Sequence, residues 1–154
     1  MHISLICVGK LKSGPEKELS DDYASRFSKT GAGVGFRSFR LIEVSSGGGL
    51  DAEGKRLSEK VPSGAAVIRL DEFGAEYTSK AFAKDLAKRR DQGTSHLCFL
   101  VGGAEGYSEA IRTLYPDTLA LGSQTWPHRL VRVMICEQLY RAASLLAGTP
   151  YHKA

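Results

Sequence analysis

Five short apolar runs alternate with helical segments along the whole of this 154-residue chain, and that alternation most limits what it can fold into. The runs are His2–Val8 (closed by Gly9), 36–44, 65–70, His96–Val101 and 118–121. Between them, Pro15 opens a helix whose Leu19, Tyr23 and Phe27 recur every four residues, which predicts one apolar face. Residues 51–61 form a weaker helix stopped by Pro62. Thr78 caps a helix that runs through Phe82 and Leu86 to Gly93, Ser108 caps a short one, and Pro127-His128 begins the last. Strands separated by helices predict an α/β fold, a mostly parallel sheet covered on both faces. No repeat or linker divides the chain, so residues 1–154 read as one domain.

Ligands of such sheets sit beyond the carboxyl ends of the strands. Three of those ends are chemically loaded: Leu70-Asp71-Glu72-Phe73-Gly74, Gly102-Gly103-Ala104-Glu105-Gly106 and Gly122-Ser123-Gln124-Thr125-Trp126-Pro127. The 102–106 run approximates a dinucleotide fingerprint but places Val101 where the first glycine belongs, and Glu105 sets a negative charge where a pyrophosphate would lie. Gly102 and Gly103 still let backbone approach a ligand closely. A cofactor with a positive centre and no phosphate, such as the sulfonium S-adenosyl-L-methionine, suits Glu105 better; a plain strand-to-helix turn is the other reading. The stretch SSGGG at 45–49 is a flexible loop, because no Lys-Ser/Thr pair at a strand-to-helix junction follows it.

Composition narrows the class. The hydrophobic share of 42% and charged share of 25% are those of a water-soluble globular domain. A net charge of +4 permits an anionic partner such as RNA without requiring one. Cys7, Cys98 and Cys136 lie in apolar runs and are odd in number, which predicts reduced, buried thiols in a cytoplasmic protein. No run approaches the ~18 apolar residues of a membrane span. His2, His96, His128 and His152 have no metal-ligand spacing, so no metal is expected. Lys88-Arg89-Arg90 at a helix end reads as a solvated cluster favoured by the helix dipole.

The last helix sends mixed signals. In TWPHRLVRVMICEQLYRA, Leu130, Val131, Val133, Met134, Ile135, Leu139 and Tyr140 cover nearly every direction around the axis, yet Arg129, Arg132, Glu137 and Arg141 interrupt them. A helix apolar all round is buried on several sides. In so small a chain the spare face predicts contact with another subunit. Glu137 and Arg141 are spaced as a favourable i,i+4 pair, at a solvated rim or in that interface. His128 stands where helix N–H groups disfavour an imidazolium; it is a cap or a neutral ligand contact.

With VGG-x-EG, the P-H-x-L-V-R-V-x-x-x-E-Q-L-Y-R-A run and the terminal PYHK in hand, the sequence resembles, over essentially its whole length, the SPOUT methyltransferases that modify 23S rRNA at N3 of pseudouridine 1915. The resemblance implies a SPOUT α/β-knot, with a deep C-terminal trefoil knot that chain topology alone would exclude. It implies a homodimer, S-adenosyl-L-methionine as cofactor, and 23S rRNA, in the assembled ribosome, as substrate. The family's cofactor loops fall on Leu70, on Gly102 and Gly103, and on Leu121, Gly122, Ser123, Gln124, Thr125, Trp126 and Pro127. Its catalytic tail falls on Tyr151, His152 and Lys153, reaching toward the partner's cofactor. With His128, Arg132 and Arg141 these residues would make a basic surround for the developing imide anion. The sequence departs from the family's commonest form at Ala104, Trp126 and Arg129. A SPOUT enzyme with another RNA target, and an RNA-binding α/β module without chemistry, remain rival readings.

Overall fold

The computed structural model describes residues 1–152. Its elements run β1 (His2–Val8), α1 (Pro15–Ala32), β2 (Ser38–Val44), α2 (Leu50–Glu59), β3 (Ala66–Glu76), α3 (Ser79–Asp91), β4 (His96–Val101), α4 (Glu109–Leu114), β5 (Thr118–Ala120) and α5 (His128–Ala147), then a 3₁₀ turn at Pro150–His152. The strands form one sheet in the order β2-β1-β4-β3-β5, and every pairing is parallel.

Alternation along the central strands sorts the core into two layers. Ile3, Leu5 and Cys7 of β1, with Leu97, Phe99 and Val101 of β4, pack on the face covered by α1, α3 and α5, against Phe27, Phe82, Leu86, Ile135 and Leu139. Ile6, Val8, Cys98 and Leu100 point the other way, to Leu57 of α2 and Ile111 of α4. Because β1 and β4 are buried on both faces, their sequences are nearly continuous apolar runs, and the one buried polar side chain among them, Ser4, is hydrogen-bonded to His96 at 2.8 Å. Gly54 lets α2 and α4 touch: a Cβ there would lie 2.7 Å from the Ser108 hydroxyl.

Two elements differ from the sequence expectation, each for a local reason. First, β3 does not end at Leu70. Leu70 and Ala75 both stand opposite Leu119 of β5, so residues 71–74 loop out as a wide bulge before pairing resumes. The polar DEFG run reads as a turn, but Gly74 brings the strand back: its missing Cβ would sit 2.9 Å from the Leu119 backbone. Second, the Leu19-Tyr23-Phe27 stripe of α1 is not uniformly buried. Phe27 is in the core, whereas Leu19 is 47% exposed. The last helix, α5, runs to Ala147, where Gly148 in the left-handed conformation (φ 71°) caps it. Its buried side carries Ile135, Leu139, Ala142 and Ala143, while Leu130 is exposed and Met134 half-buried.

The exposed end of the α1 stripe therefore has company. Leu19, Tyr23, Tyr77, Val133 and Met134 line one depression of about 580 Å³ on the α1/α5 side. The Thr78 and Ser108 side chains cap α3 and α4 as expected, accepting the Ala81 and Ile111 amides at 3.1 and 3.2 Å.

Candidate active site

The loaded strand ends meet. A cavity of about 300 Å³ opens at the carboxyl ends of β3, β4 and β5, where such sheets bind ligands. Leu70, Gly102, Gly103, Leu121, Gly122, Gln124, Thr125 and Trp126 all line it; Ser123 and Pro127 belong to the same loop but not to the lining. Val101, Leu119 and Val131 add apolar surface, and Glu72 and Glu105 add carboxylates at the rim.

Each loop is held by its own polar contacts. The Trp126 indole N–H donates to the Leu121 carbonyl at 3.1 Å, folding 121–126 back on itself. Thr125 donates its hydroxyl proton to Glu72, which ties the β5–α5 loop to the β3 bulge. Gly122 has φ 102°, a conformation that favours glycine, and a Cβ there would meet nothing within 4 Å. At Gly102 a Cβ would come within 2.8 Å of the Gly106 carbonyl oxygen, so the tight turn requires glycine.

The bulge and the glycine turn are joined by residues that local sequence patterns do not flag. Tyr107 is buried, and its hydroxyl lies 2.7 Å from the Leu100 carbonyl and 2.9 Å from that of Leu70 while accepting the Gly102 amide at 3.1 Å. One side chain thus gathers the ends of β3 and β4 and the glycine turn. Burial raises the phenol's pKa far above its ordinary value, so it stays protonated and can donate. Arg69 is buried against the Tyr107 ring, donates to the Tyr115 carbonyl at 2.7 Å and pairs with Asp71 at 2.9 Å. Asp71 in turn accepts the Phe73 amide at 3.0 Å, shaping the bulge from within. Phe73 itself is 88% exposed on the cavity rim.

His128, the first residue of α5, lines this cavity and also another of about 290 Å³. This second cavity lies between the β1–α1 loop, α2 and the start of α5, and is walled by Gly9, Lys10, Glu53, Arg129 and Arg132. The two share Gly103, Ala104, Glu105 and His128 as their common wall. Burial chiefly, then Arg129 and Arg132, lowers the His128 pKa against an opposing pull from Glu53, so the ring is neutral at physiological pH.

Arg132 is not a free cation. It is 4% exposed and donates to Glu43 at 2.6 Å and to the Gly9 carbonyl at 2.8 Å. Its charge is committed to the scaffold under the second cavity. Arg141 and Tyr151 do not line either cavity. Arg141 pairs with Glu137 at 2.7 Å and lies 5.1 Å from the Tyr151 ring centroid, while the Tyr151 hydroxyl donates to Glu137 at 3.0 Å. The Glu137 hydrogen bond raises the Arg141 pKa. This cluster sits on the C-terminal half of α5, beside the depression that holds Leu19 and Met134, so within one chain Arg141 and Tyr151 are not brought to the glycine-lined cavity. The side chain of His152 and all of Lys153 lie outside the described residues.

All three cysteines are buried, and burial pushes Cys7 up to about 12 and Cys98 up to about 11, which leaves them as thiols. Among the described residues no cluster of His, Cys, Asp and Glu could hold a metal ion, and no helix is long and apolar enough to cross a membrane.

A parallel α/β domain with a glycine-lined cavity at a three-strand edge and a neutral histidine at its mouth is the framework of a small-molecule-dependent enzyme. The family model described as "Predicted SPOUT methyltransferase" matches residues 1–152, and the chain belongs to that family. A Hyphomonas neptunium protein named ribosomal RNA large subunit methyltransferase H is 56% identical, with all of both chains aligned. A Dinoroseobacter shibae protein of the same name is 48% identical over 99% of each chain. A Legionella pneumophila chain, solved with SAM bound, aligns with 92% of this chain and 66% of its own length at 12% identity and a TM-score of 0.48.

Proposed function

We propose that this protein transfers a methyl group from S-adenosyl-L-methionine to N3 of pseudouridine 1915 in 23S rRNA, acting as a cytoplasmic homodimer on the assembled ribosome. The observation that carries the reading is the convergence of the β3 bulge, the GGAEG turn and the 121–126 loop on one cavity, in a member of the family whose relatives bear the ribosomal name.

The residues present suit that cofactor. Leu70, Leu121 and Val131 offer the apolar faces an adenine needs, and the bare backbone at Gly102 and Gly122 offers amide and carbonyl groups at close approach. Glu72 and Glu105 place negative charge where a sulfonium and an ammonium would be welcome, while the Arg112 guanidinium in the lining is turned to Asp71 at 3.4 Å. When bound, the cofactor supplies an electrophilic methyl group. The protein's share is positioning and electrostatics: an in-line displacement gains most from fixed geometry. His128, neutral and at the junction of both cavities, is placed to contact the incoming base.

The knot belongs to this proposal, with the 121–127 loop and α5 as its last threaded segment. So does the dimer: exposed Leu19 and Leu130 and half-buried Met134 leave apolar surface on α1 and α5, and a two-fold contact there would cover it. Arg141 and Tyr151 lie on that same side, so the tail of one subunit is proposed to complete the cavity of the other. Mass mapping of 23S rRNA from a strain lacking this protein tests the assignment. The N3-methyl group at position 1915 should vanish and return on adding the purified protein, S-adenosyl-L-methionine and ribosomes; an unchanged modification map refutes the target.

A further inference from the structure

The reaction proposed above needs a proton acceptor, and the second cavity contains a fixed one. An imide N3–H must lose its proton before or as its nitrogen takes a methyl group. Resting on that reading, we propose that the second cavity receives the target base and that the Glu53 carboxylate takes the N3 proton there.

Position is the first argument. A Cβ built on Gly103 would lie 3.5 Å from both carboxylate oxygens of Glu53 and 3.2 Å from Val8. The carboxylate therefore lies broadside against the bare glycine that forms the common wall of the two cavities. Gly103 is shared by both cavities, so a group beside it stands at their boundary, where a base in the second cavity would approach a cofactor in the first.

Fixation is the second. Glu53 stands one turn into α2, half-buried, and one oxygen accepts the Gly47 amide at 2.9 Å. The loop bearing Gly47 is itself tied down, because Arg56 donates to the carbonyls of Ser45 and Gly47 at 2.7 and 2.8 Å. Among the described residues the other Glu53 oxygen accepts no hydrogen bond. Glu105, the other carboxylate on the shared wall, is exposed at the tip of the 103–106 turn and accepts no hydrogen bond there. A base must be held within hydrogen-bond reach of its proton, and Glu53 is the better held of the two.

The surrounding charge is the third. Lys10 of the β1–α1 loop and Arg129 of α5 line the same cavity, and Arg132 supports its floor through Glu43 and Gly9. Cations there favour the negative charge that builds on the ring carbonyls as the proton leaves. Neutral His128 completes the wall without adding a competing positive charge next to the sulfonium. An imide edge presents acceptor, donor and acceptor in a row; a carboxylate flanked by cations is its complement.

The step balances. The N3–H bond breaks and its proton goes to Glu53; the nitrogen lone pair forms the N–CH3 bond; the S–CH3 bond breaks and leaves its electron pair on sulfur as a neutral thioether. Glu53 then returns the proton to water.

Glu53→Gln tests this, because the amide keeps an oxygen for the Gly47 N–H and removes only the base. Ribosomes from a strain lacking the enzyme serve as substrate, with cofactor binding followed by calorimetry and folding by thermal melting. At neutral pH single-turnover methylation should fall ~100-fold or more, the lower end of what positioned acid–base groups contribute. Cofactor affinity and melting should be unchanged. As pH rises the variant should regain about tenfold per unit, as hydroxide ionises the imide in place of the carboxylate. A rate within a few-fold of wild type overturns the assignment, and so does a loss that high pH does not restore. If wild type itself methylates nothing, this inference and the functional reading fall together; if only the variant result fails, the functional reading stands alone.

Discussion

Removing the negative charge of Glu43 should cost more than its half-open position suggests, because it leaves Arg132 buried without a counter-charge. The Arg132 side chain is 5% exposed and that of Glu43 29%, and their N–O distance is 2.6 Å. Glu43 also accepts the Leu11 amide at 2.7 Å, so one carboxylate fastens β2, the β1–α1 loop and α5. Breaking a fully buried pair by deleting one partner costs about 3–5 kcal/mol. Water reaches the Glu43 side, and Arg132 keeps its bond to the Gly9 carbonyl, so Glu43→Gln should lose about 2–3 kcal/mol. In a domain of this size each kcal/mol shifts the melting temperature by roughly 2–4 °C, so the variant should melt roughly 5–10 °C lower at pH 7.

The pH dependence separates the charge from simple packing. Burial acts to raise the Glu43 pKa, but the Leu11 amide and Arg132 outweigh it and hold the group below the ordinary carboxylate value. A carboxylate depressed in the folded state contributes stability that is fully present above its unfolded pKa and lost as pH falls through the folded one. The gap between wild type and Glu43→Gln should therefore be constant from pH 7 to about 5 and close below about 4. Melting followed by circular dichroism across that range is the assay. A gap of under 2 °C at pH 7, to order of magnitude, or one that persists unchanged to pH 3, would refute the argument.

Three further expectations follow from single contacts. Trp126, the chain's one tryptophan, lines the glycine-rich cavity, so its fluorescence should change as S-adenosyl-L-methionine is added; a flat titration at concentrations where calorimetry shows binding would place the ligand elsewhere. Gly74→Ala sets a methyl group against the Leu119 backbone at 2.9 Å, and should lower stability by roughly 1–3 kcal/mol and weaken cofactor binding by displacing the bulge; urea unfolding indistinguishable from wild type would show that β5 yields freely. Met134→Glu should convert a dimer to monomers in sedimentation at micromolar concentration without unfolding the chain, whereas a charge at Leu139 would strike the core and test nothing about assembly; a wild type that sediments as a monomer removes the interface reading.

What is legible in the sequence is what strands and helices announce locally. β1 and β4 declare themselves because burial on both faces leaves them almost wholly apolar, and α3 and α4 because Thr78 and Ser108 are caps. The GGAEG and GSQTWP loops are legible as site candidates because both follow strands, and strand ends in a parallel sheet converge. The limits are also local. LDEFG has the composition of a turn, so local pattern ends β3 at Leu70; whether a strand resumes after a bulge depends on Leu119, which lies 45 residues beyond Gly74 and shows in no local pattern. The Leu19-Tyr23-Phe27 stripe has helical period whether its far end meets its own core or another surface.

The groups that matter most to the site escape for a related reason. Tyr107 follows directly on the glycine turn, yet nothing in GGAEGYS says that its hydroxyl will find carbonyls of two neighbouring strands. Glu53 is still harder: on α2 it reads as an acidic residue in the first helical turn, where the dipole alone would justify it. The pairing of β1 with β4 brings the α2 side of the sheet up to Gly103, where a Cβ would lie 3.5 Å from both Glu53 carboxylate oxygens. At the wall between the two cavities, a glycine from one part of the chain thus meets a carboxylate from another. A sequence read one segment at a time shows the glycine as permissive and the glutamate as ordinary; their meeting is a property of strand order, and strand order is what turns a set of polar residues into chemistry.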